Sequence, residues 1–418
     1  MEQIHPRCAG IDIGKKRATV CIRVPGPNPS SRRAAERVSE QVTTWSSMTG
    51  SVLQLREQLI QAQVTCVVME ATSDYWKPFY FLLEDAGFEL MLVNARHVKN
   101  VPGRKSDVND ATWLAQLAAH GLVRPSLVPP VPIRELRDLT RTRTQVVRER
   151  NREFQRMEKM LESAGIKLSS VASDLSGVSC RKMLEALADG ERDPKVLAGL
   201  AHPTMAAKRP MLEVALTGRF NDHHGFLART HLALIRAHDQ AIADLDERIE
   251  VVMEPFRGFR DLICSIPGIS TTVADVVIAE TGADLTVFPS PQHLASWAGV
   301  CPGNNESAGV VKSTHTRPGN AYLKAALGIA AMSASRTKHT ALAARCRRIK
   351  KRRGYKRAIV ALMRHMLAII WRMAATGAYY QDPGPDYHTA RNPQRALNHA
   401  IRTIQAQGFQ VQLTPAAA

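Results

Sequence analysis

The chain has 418 residues, 44% hydrophobic and 22% charged, and carries 56 Lys and Arg against 38 Asp and Glu, a formal charge of +18. That length supports two or three folded cores, and that balance excludes a disordered chain or a small disulfide scaffold. The positive excess favours a polyanionic partner, nucleic acid ahead of an anionic membrane.

Alternation and turn residues give the first third a mixed strand and helix reading. Ala9–Ile13 is a short apolar strand, and Ala18–Val24 pairs with it as a hairpin across a Gly-Lys-Lys turn. A Pro-rich loop at 25–31 leads to a third strand over Arg37–Trp45. Val52–Gln63 is helical, and Val64–Met69 is a buried strand ending at Glu70. Tyr75–Ala86 is an aromatic-rich helix closed by Gly87, and Phe88–Val93 is a fifth strand. After the loop 94–106, Ser106 is placed as the N-cap of a helix running from Asp107 to about His120.

A Pro-rich linker, PSLVPPVP, separates this region from two long helices. Ile133–Ala164 and His224–Phe256 are amphipathic, arranged as an antiparallel arm or an oligomerising coiled coil, with Arg143 and Arg150 interrupting the first apolar seam. Residues 166–223 between them form a helical insert. His223, His224, His231 and His238 are read as solvated or interface histidines rather than a metal stripe.

Downstream, DLICSIPGIS and TTVADVVIAETG give helix, Pro-Gly turn, helix. The turn is either an ordinary helical connection or a phosphate-facing helix N-terminus. A polar loop, NNESAGVVKSTHTRPGN, precedes a helix over Tyr322–Ser335. The apolar stretch from Ala358 to Ala375 is broken by Arg364, His365 and Arg372, so it packs rather than spans a membrane. The tail beyond Gly377 reads as mobile. Seven cysteines stand singly, without zinc-site spacing, which fits reduced thiols in a cytoplasmic protein with no secretion signal and no structural zinc.

Four acids carry the chemistry of the first region. Asp12 follows the first strand, Glu70 ends a middle strand, and Asp107 and Asp110 are spaced to share one helix face. Each has a plain alternative: a turn residue for Asp12, helix-start acids for the others. Their order in one α/β region is what a divalent-metal site for phosphoryl transfer requires, since hard cations need several carboxylate oxygens.

Ser307 lies in the polar loop beside Lys312, His315, Arg317 and Lys324. A serine attacking a phosphodiester needs cations near the developing charge. The same residues also suit a simple turn, and Ser313 competes for the role. The run RCRRIKKRRGYKR at 345–357, with Arg348, Lys351 and Arg352, reads as a phosphate-contacting surface, as do Arg104 and Lys105 before the acidic pair.

The segments AGIDIGKK, VVMEATSDYW, GRKSDVNDA, IPGIS, VADVVIAETG, LASWAGVCPG, NNESAG and GNAYLKAAL occur in that order. Together they resemble the bacterial insertion-sequence transposases that join an Asp-Glu-Asp-Asp RuvC-like domain to a serine transposase domain, the bridge-RNA-guided recombinases. The likeness covers about residues 8–124 and 258–335. It implies an α/β plus α protein: a RuvC/ribonuclease-H-like domain at 1–125, a helical coiled-coil arm at 126–257 with the insert 166–223, a mostly helical transposase domain at 258–345, and a basic helix with a flexible tail at 346–418. It implies that Asp12, Glu70, Asp107 and Asp110 bind Mg²⁺, as a pair of ions per site, and that Ser307 forms a 5′-phosphoserine link to DNA during strand exchange. Nucleic-acid contacts are expected at Arg104, Lys105, Lys312, Arg317, Lys324, Arg348, Lys351 and Arg352.

The implied partners are donor and target DNA, a structured noncoding guide RNA and further copies of the chain, dimer to tetramer, with sites shared between subunits. No membrane is involved, and the setting is cytoplasmic and nucleoid-associated. The chain departs from the family in carrying Ser307-Ala308-Gly309 where Ser-Gly is common. Two other readings remain: a RuvC-like structure-specific endonuclease with water as nucleophile, and a non-catalytic nucleic-acid-binding protein whose acids only cap helices.

Overall fold

The computed structural model describes residues 3–26, 38–95, 98, 109–303, 305–391 and 393–413. The chain divides into two compact units, Met1–Pro129 and Pro130–Ala418.

The first unit is built on a five-stranded sheet of β1 (Cys8–Ile13), β2 (Arg17–Pro25), β3 (Val38–Ser46), β4 (Cys66–Glu70) and β5 (Glu89–Val93), in spatial order β3-β2-β1-β4-β5. β2 runs antiparallel to β1 and β3, whereas β1, β4 and β5 are parallel. Because strand side chains alternate faces, the sheet sorts its residues by parity. Ile11, Val20, Val67 and Met69 pack on one face with Leu55 of α1 (Thr49–Gln61) and Phe79 of α2 (Trp76–Leu83). Cys8, Cys66 and Val68 pack on the other with Trp113, Leu114 and Leu117 of α3 (Asp110–Ala119). Gly87 closes the turn after α2 with φ +80°, the left-handed conformation a C-cap glycine supplies.

One expected boundary is corrected. α3 starts at Asp110, not Asp107, because Asn109 has ψ 138° and its side chain caps the helix by accepting from the Ala111 N–H. Asp107 and the expected cap Ser106 lie outside the described residues.

The second unit opens with α4 (Val131–Ser163) and, after α5 (Leu168–Val171), α6 (Val178–Ala188), α7 (Pro194–Gly199) and α8 (Arg209–Leu216), returns along α9 (Asp222–Met253). The two long helices pair antiparallel within the chain. Arg143 meets Asp246, Arg150 meets Asp239 at 3.1 Å, and Glu153 meets His231 at 2.9 Å, so the partner number falls as the α4 number rises. The arginines that interrupt the seam are therefore its interhelical ion pairs. The insert is a cap with its own core, in which Met183, Leu184, Leu197 and Leu212 pack against Met157 and Leu161 of α4 and Leu232 and Ile235 of α9.

The remainder is helical: α10 (Arg257–Cys264), α11 (Thr271–Thr281), α12 (Pro291–Trp297), α13 (Ala321–Arg336), α14 (Ala341–Arg353) and α15 (Tyr355–Thr376), broken by the strands β6 (Asn305–Ser307) and β7 (Val310–Ser313). Gly268, in the Pro-Gly turn, has φ +90°, and a Cβ there would lie 2.5 Å from the Ala334 nitrogen and 2.6 Å from the Ala330 carbonyl. That turn is thus packed closely against α13. α15 is long and apolar enough by composition to cross a membrane, but Leu362, Met366, Leu367 and Ile370 are fully buried in the unit. Beyond Gly377, in the tail read as mobile, the described residues include two further helices, α16 (Tyr387–Ala390) and α17 (Pro393–Gln405).

Candidate active site

The sheet brings three of the four acids to one end of one face. Asp12 follows Cys8 and Gly10 in parity on β1, and Glu70 follows Cys66 and Val68 on β4, so both belong to the face covered by α3. Each lies one position beyond the paired couple Ile11 and Met69, which aligns them across neighbouring parallel strands. α3 crosses β1 head to tail. Cys8 Sγ donates to the Ala115 carbonyl at 3.3 Å, whereas Gly10 abuts the Ala111 carbonyl, so the helix start points toward Asp12. A Cβ on Gly10 would sit 2.2 Å from that carbonyl, which is why only glycine lets the helix come so near. Asp110, the first residue of α3, is thereby carried to the same end. Asp12, Glu70 and Asp110 are all half-buried.

A set of half-buried carboxylates at a sheet end, beside a helix N-terminus whose dipole offsets only part of their repulsion, has the oxygen donors a hard divalent cation takes. Asp107, Arg104 and Lys105 lie outside the described residues. At the other end of β4, His5, Cys66 and Glu89 bring potential ligand atoms within 4.8 Å of one another. Burial there pushes the Cys66 thiol up to about 12, which keeps it a neutral core group.

Ser307 belongs to the second unit and sits at the tip of a two-residue β-hairpin rather than in an irregular loop. It pairs with Val310 across Ala308 (φ +49°) and Gly309 (φ +75°), two successive left-handed residues that suit the twist of a tight hairpin. Ser307 and Lys312 are exposed. The hairpin base is fixed from both sides. Gly303 N–H donates to the His315 carbonyl at 2.8 Å, exposed Arg317 donates to the Gly303 carbonyl at 3.3 Å, and Lys324 Nζ donates to Thr316 Oγ1 at 2.9 Å. Ser313 Oγ accepts from the His315 N–H, a turn role.

Sequence reasoning missed a buried group at the start of the helix that follows this hairpin. Glu280 of α11 has no exposed surface and accepts a bidentate pair from Arg141 at 2.7 and 2.8 Å and a bond from Asn320 Nδ2 at 2.6 Å. Arg137 donates to the carbonyls of Ala279 and Glu280. Asn320 Oδ1 in turn caps α13 by accepting from the Tyr322 and Leu323 N–H groups, and Arg141 lies 4.8 Å over the Tyr322 ring. The network ties the arm to the helix that follows the serine hairpin. Its readable signal was Gly-Asn ahead of an apolar run, an N-cap pattern. Arg348, Lys351 and Arg352 are exposed along α14.

Comparison with known proteins finds similarity in both units. The transposase profile of the IS110 DEDD type matches residues 9–166. A second, described as the transposase IS116/IS110/IS902 family, matches residues 260–347. The chain is an insertion-sequence transposase, and the DEDD domain implies dependence on a divalent metal. Both matched regions are similar to transposase domains of the IS110 type. It is 28% identical, over 72% of its length and 80% of the relative's, to the uncharacterized 42 kDa protein of insertion element IS900 from Mycobacterium paratuberculosis. It is 24% identical, over 76% of its length and 80% of the relative's, to the transposase for insertion sequence element IS1111A from Coxiella burnetii.

Proposed function

We propose that this transposase cuts and rejoins DNA with two chemical groups, a carboxylate metal site in the first unit and the Ser307 hydroxyl in the second, under the direction of a structured RNA. The observation that carries this reading is the gathering of Asp12, Glu70 and Asp110 at one end of one sheet face. The strand order, with β2 antiparallel to its neighbours, supports a RuvC-like, ribonuclease-H-type domain. Asp12, Glu70 and Asp110, with Asp107, hold the metal, taken as a pair of Mg²⁺ ions. Bound Mg²⁺ supplies charge stabilisation for the attacking and leaving oxygens of phosphoryl transfer.

In the proposed step the Ser307 Oγ–P bond forms as the P–O3′ bond of the strand breaks. The serine loses its proton and the departing 3′ oxygen gains one. Attack by the 3′-hydroxyl of another strand reverses the exchange and frees the serine, so the phosphodiester count is conserved. Lys312 and Arg317 on the hairpin and Lys324 behind it supply cations near the strand, and the exposed tip leaves the serine open to a strand.

Two measurements test the reading. Asp12→Ala, Glu70→Ala and Asp110→Ala are each expected to lower strand cleavage of the element's ends at least a hundredfold and to weaken Mg²⁺ binding by calorimetry. Full cleavage in Asp12→Ala sinks the metal site. Sequencing the RNA that co-purifies with the protein is expected to return one structured noncoding transcript, and a random sample of cellular RNA rejects the guide.

A further inference from the structure

Several partly buried arginines of the second unit are matched to carboxylates. Arg141 is held by Glu280, Arg150 and Arg181 by Asp239, and Arg260 by Glu250 and Asp275. Arg345 departs from this pattern. It is half-buried on α14, and its Nε is buried with no hydrogen-bond acceptor among the described residues. Arg348 lies three residues on, on the same helix face, and Arg364 comes from α15, which packs against α14. Burial first, and then the charges of Arg348 and Arg364, pull the Arg345 guanidinium below its ordinary value, with only the Tyr387 hydroxyl opposing them among the described residues. Leaving a guanidinium N–H desolvated and unpaired beside two like charges is costly, and an anion removes both costs at once.

We propose that Arg345, Arg348 and Arg364 form a niche for one backbone phosphate of a bound nucleic acid. The inference rests on the reading of the chain as a nucleic-acid-processing enzyme. It differs from a diffuse basic surface in singling out three arginines from two helices, one of them partly desolvated in advance. Lys350, Lys351, Arg352 and Arg353 in the last turn of α14 then follow the backbone away from the niche.

The test uses the full-length protein, labelled duplex DNA and labelled single-stranded RNA of arbitrary sequence, with binding followed over a range of salt. Arg345→Gln combined with Arg364→Gln is expected to weaken binding several-fold and to flatten the salt dependence by about one phosphate contact. Loss on the RNA probe alone assigns the niche to RNA, loss on the duplex alone assigns it to DNA, and loss on both assigns it to the backbone they share. Pyrophosphate is expected to raise the Tm of the parent protein and not that of the double variant. Unchanged affinity and salt slope on both probes overturn the niche. A Tm drop in the variant without polyanion also overturns it, since it marks the arginines as structural. Asp12→Ala is run in parallel: if it abolishes cleavage while the arginine variant binds normally, the niche fails and the enzymatic reading stands.

Discussion

Gly10 decides how near α3 comes to the acids. Gly10→Ala drives a methyl into the Ala111 carbonyl, the Ala115 nitrogen and the Leu114 side chain. It is expected to cost about 3 kcal/mol in denaturant unfolding and to weaken Mg²⁺ binding even though no carboxylate is touched. Unaltered metal affinity would show that the helix position does not govern the site. Ala308 is the second telling residue, since a left-handed backbone disfavours any side chain with a Cβ. Ala308→Gly is expected to slow hydrogen exchange at the Val310 amide by about fivefold, for a gain of about 1 kcal/mol, while leaving strand joining intact. Asp12 and Glu70 were legible because apolar strands ran straight into them. The start of α3 was not, because Ser106 and Asn109 are equally good caps by residue type, and Asn109 is shown as the cap only by its own backbone and its bond to the Ala111 N–H.

At the level of elements, the arm was legible in its length and amphipathicity but not in its pairing, since Arg143 and Arg150 look like flaws until Asp246 and Asp239 are seen opposite them. The serine hairpin was hidden for the opposite reason: three- and four-residue strands carry too little alternation to be read. The crossing of α10 and α11 gives a pH prediction. Arg260 bridges exposed Glu250 and buried Asp275, and burial, ahead of the opposing pull of Arg260, lifts the Asp275 carboxyl to about 6. A folded value above the unfolded one means that folding favours the protonated form. The stability from this group is therefore complete below about pH 4 and lost as pH rises through about 6. Between those limits the parent protein is expected to lose roughly 2–3 kcal/mol relative to Asp275→Asn, measured by urea unfolding across pH. Parallel curves would contradict the assignment.

For the molecule as a whole, the division near Pro129 and Pro130 puts the carboxylates and the serine in separately packed units, each with its own core. The insert owes its place to packing across the ends of α4 and α9, which periodicity within the insert could not reveal. The net charge of +18 sets the scale of attraction to nucleic acid, and the acids and the serine set what is done to it. The most direct test is to react the purified protein, with its co-purified RNA, on DNA carrying the element's ends in Mg²⁺, and then to digest it and sequence the peptides by mass spectrometry. The expected product is a nucleotide joined through its 5′ phosphate to Ser307, absent in EDTA and absent in Ser307→Ala. Cleaved DNA with free 5′ phosphates and an unmodified Ser307 peptide, or an adduct that persists in Ser307→Ala, would contradict it.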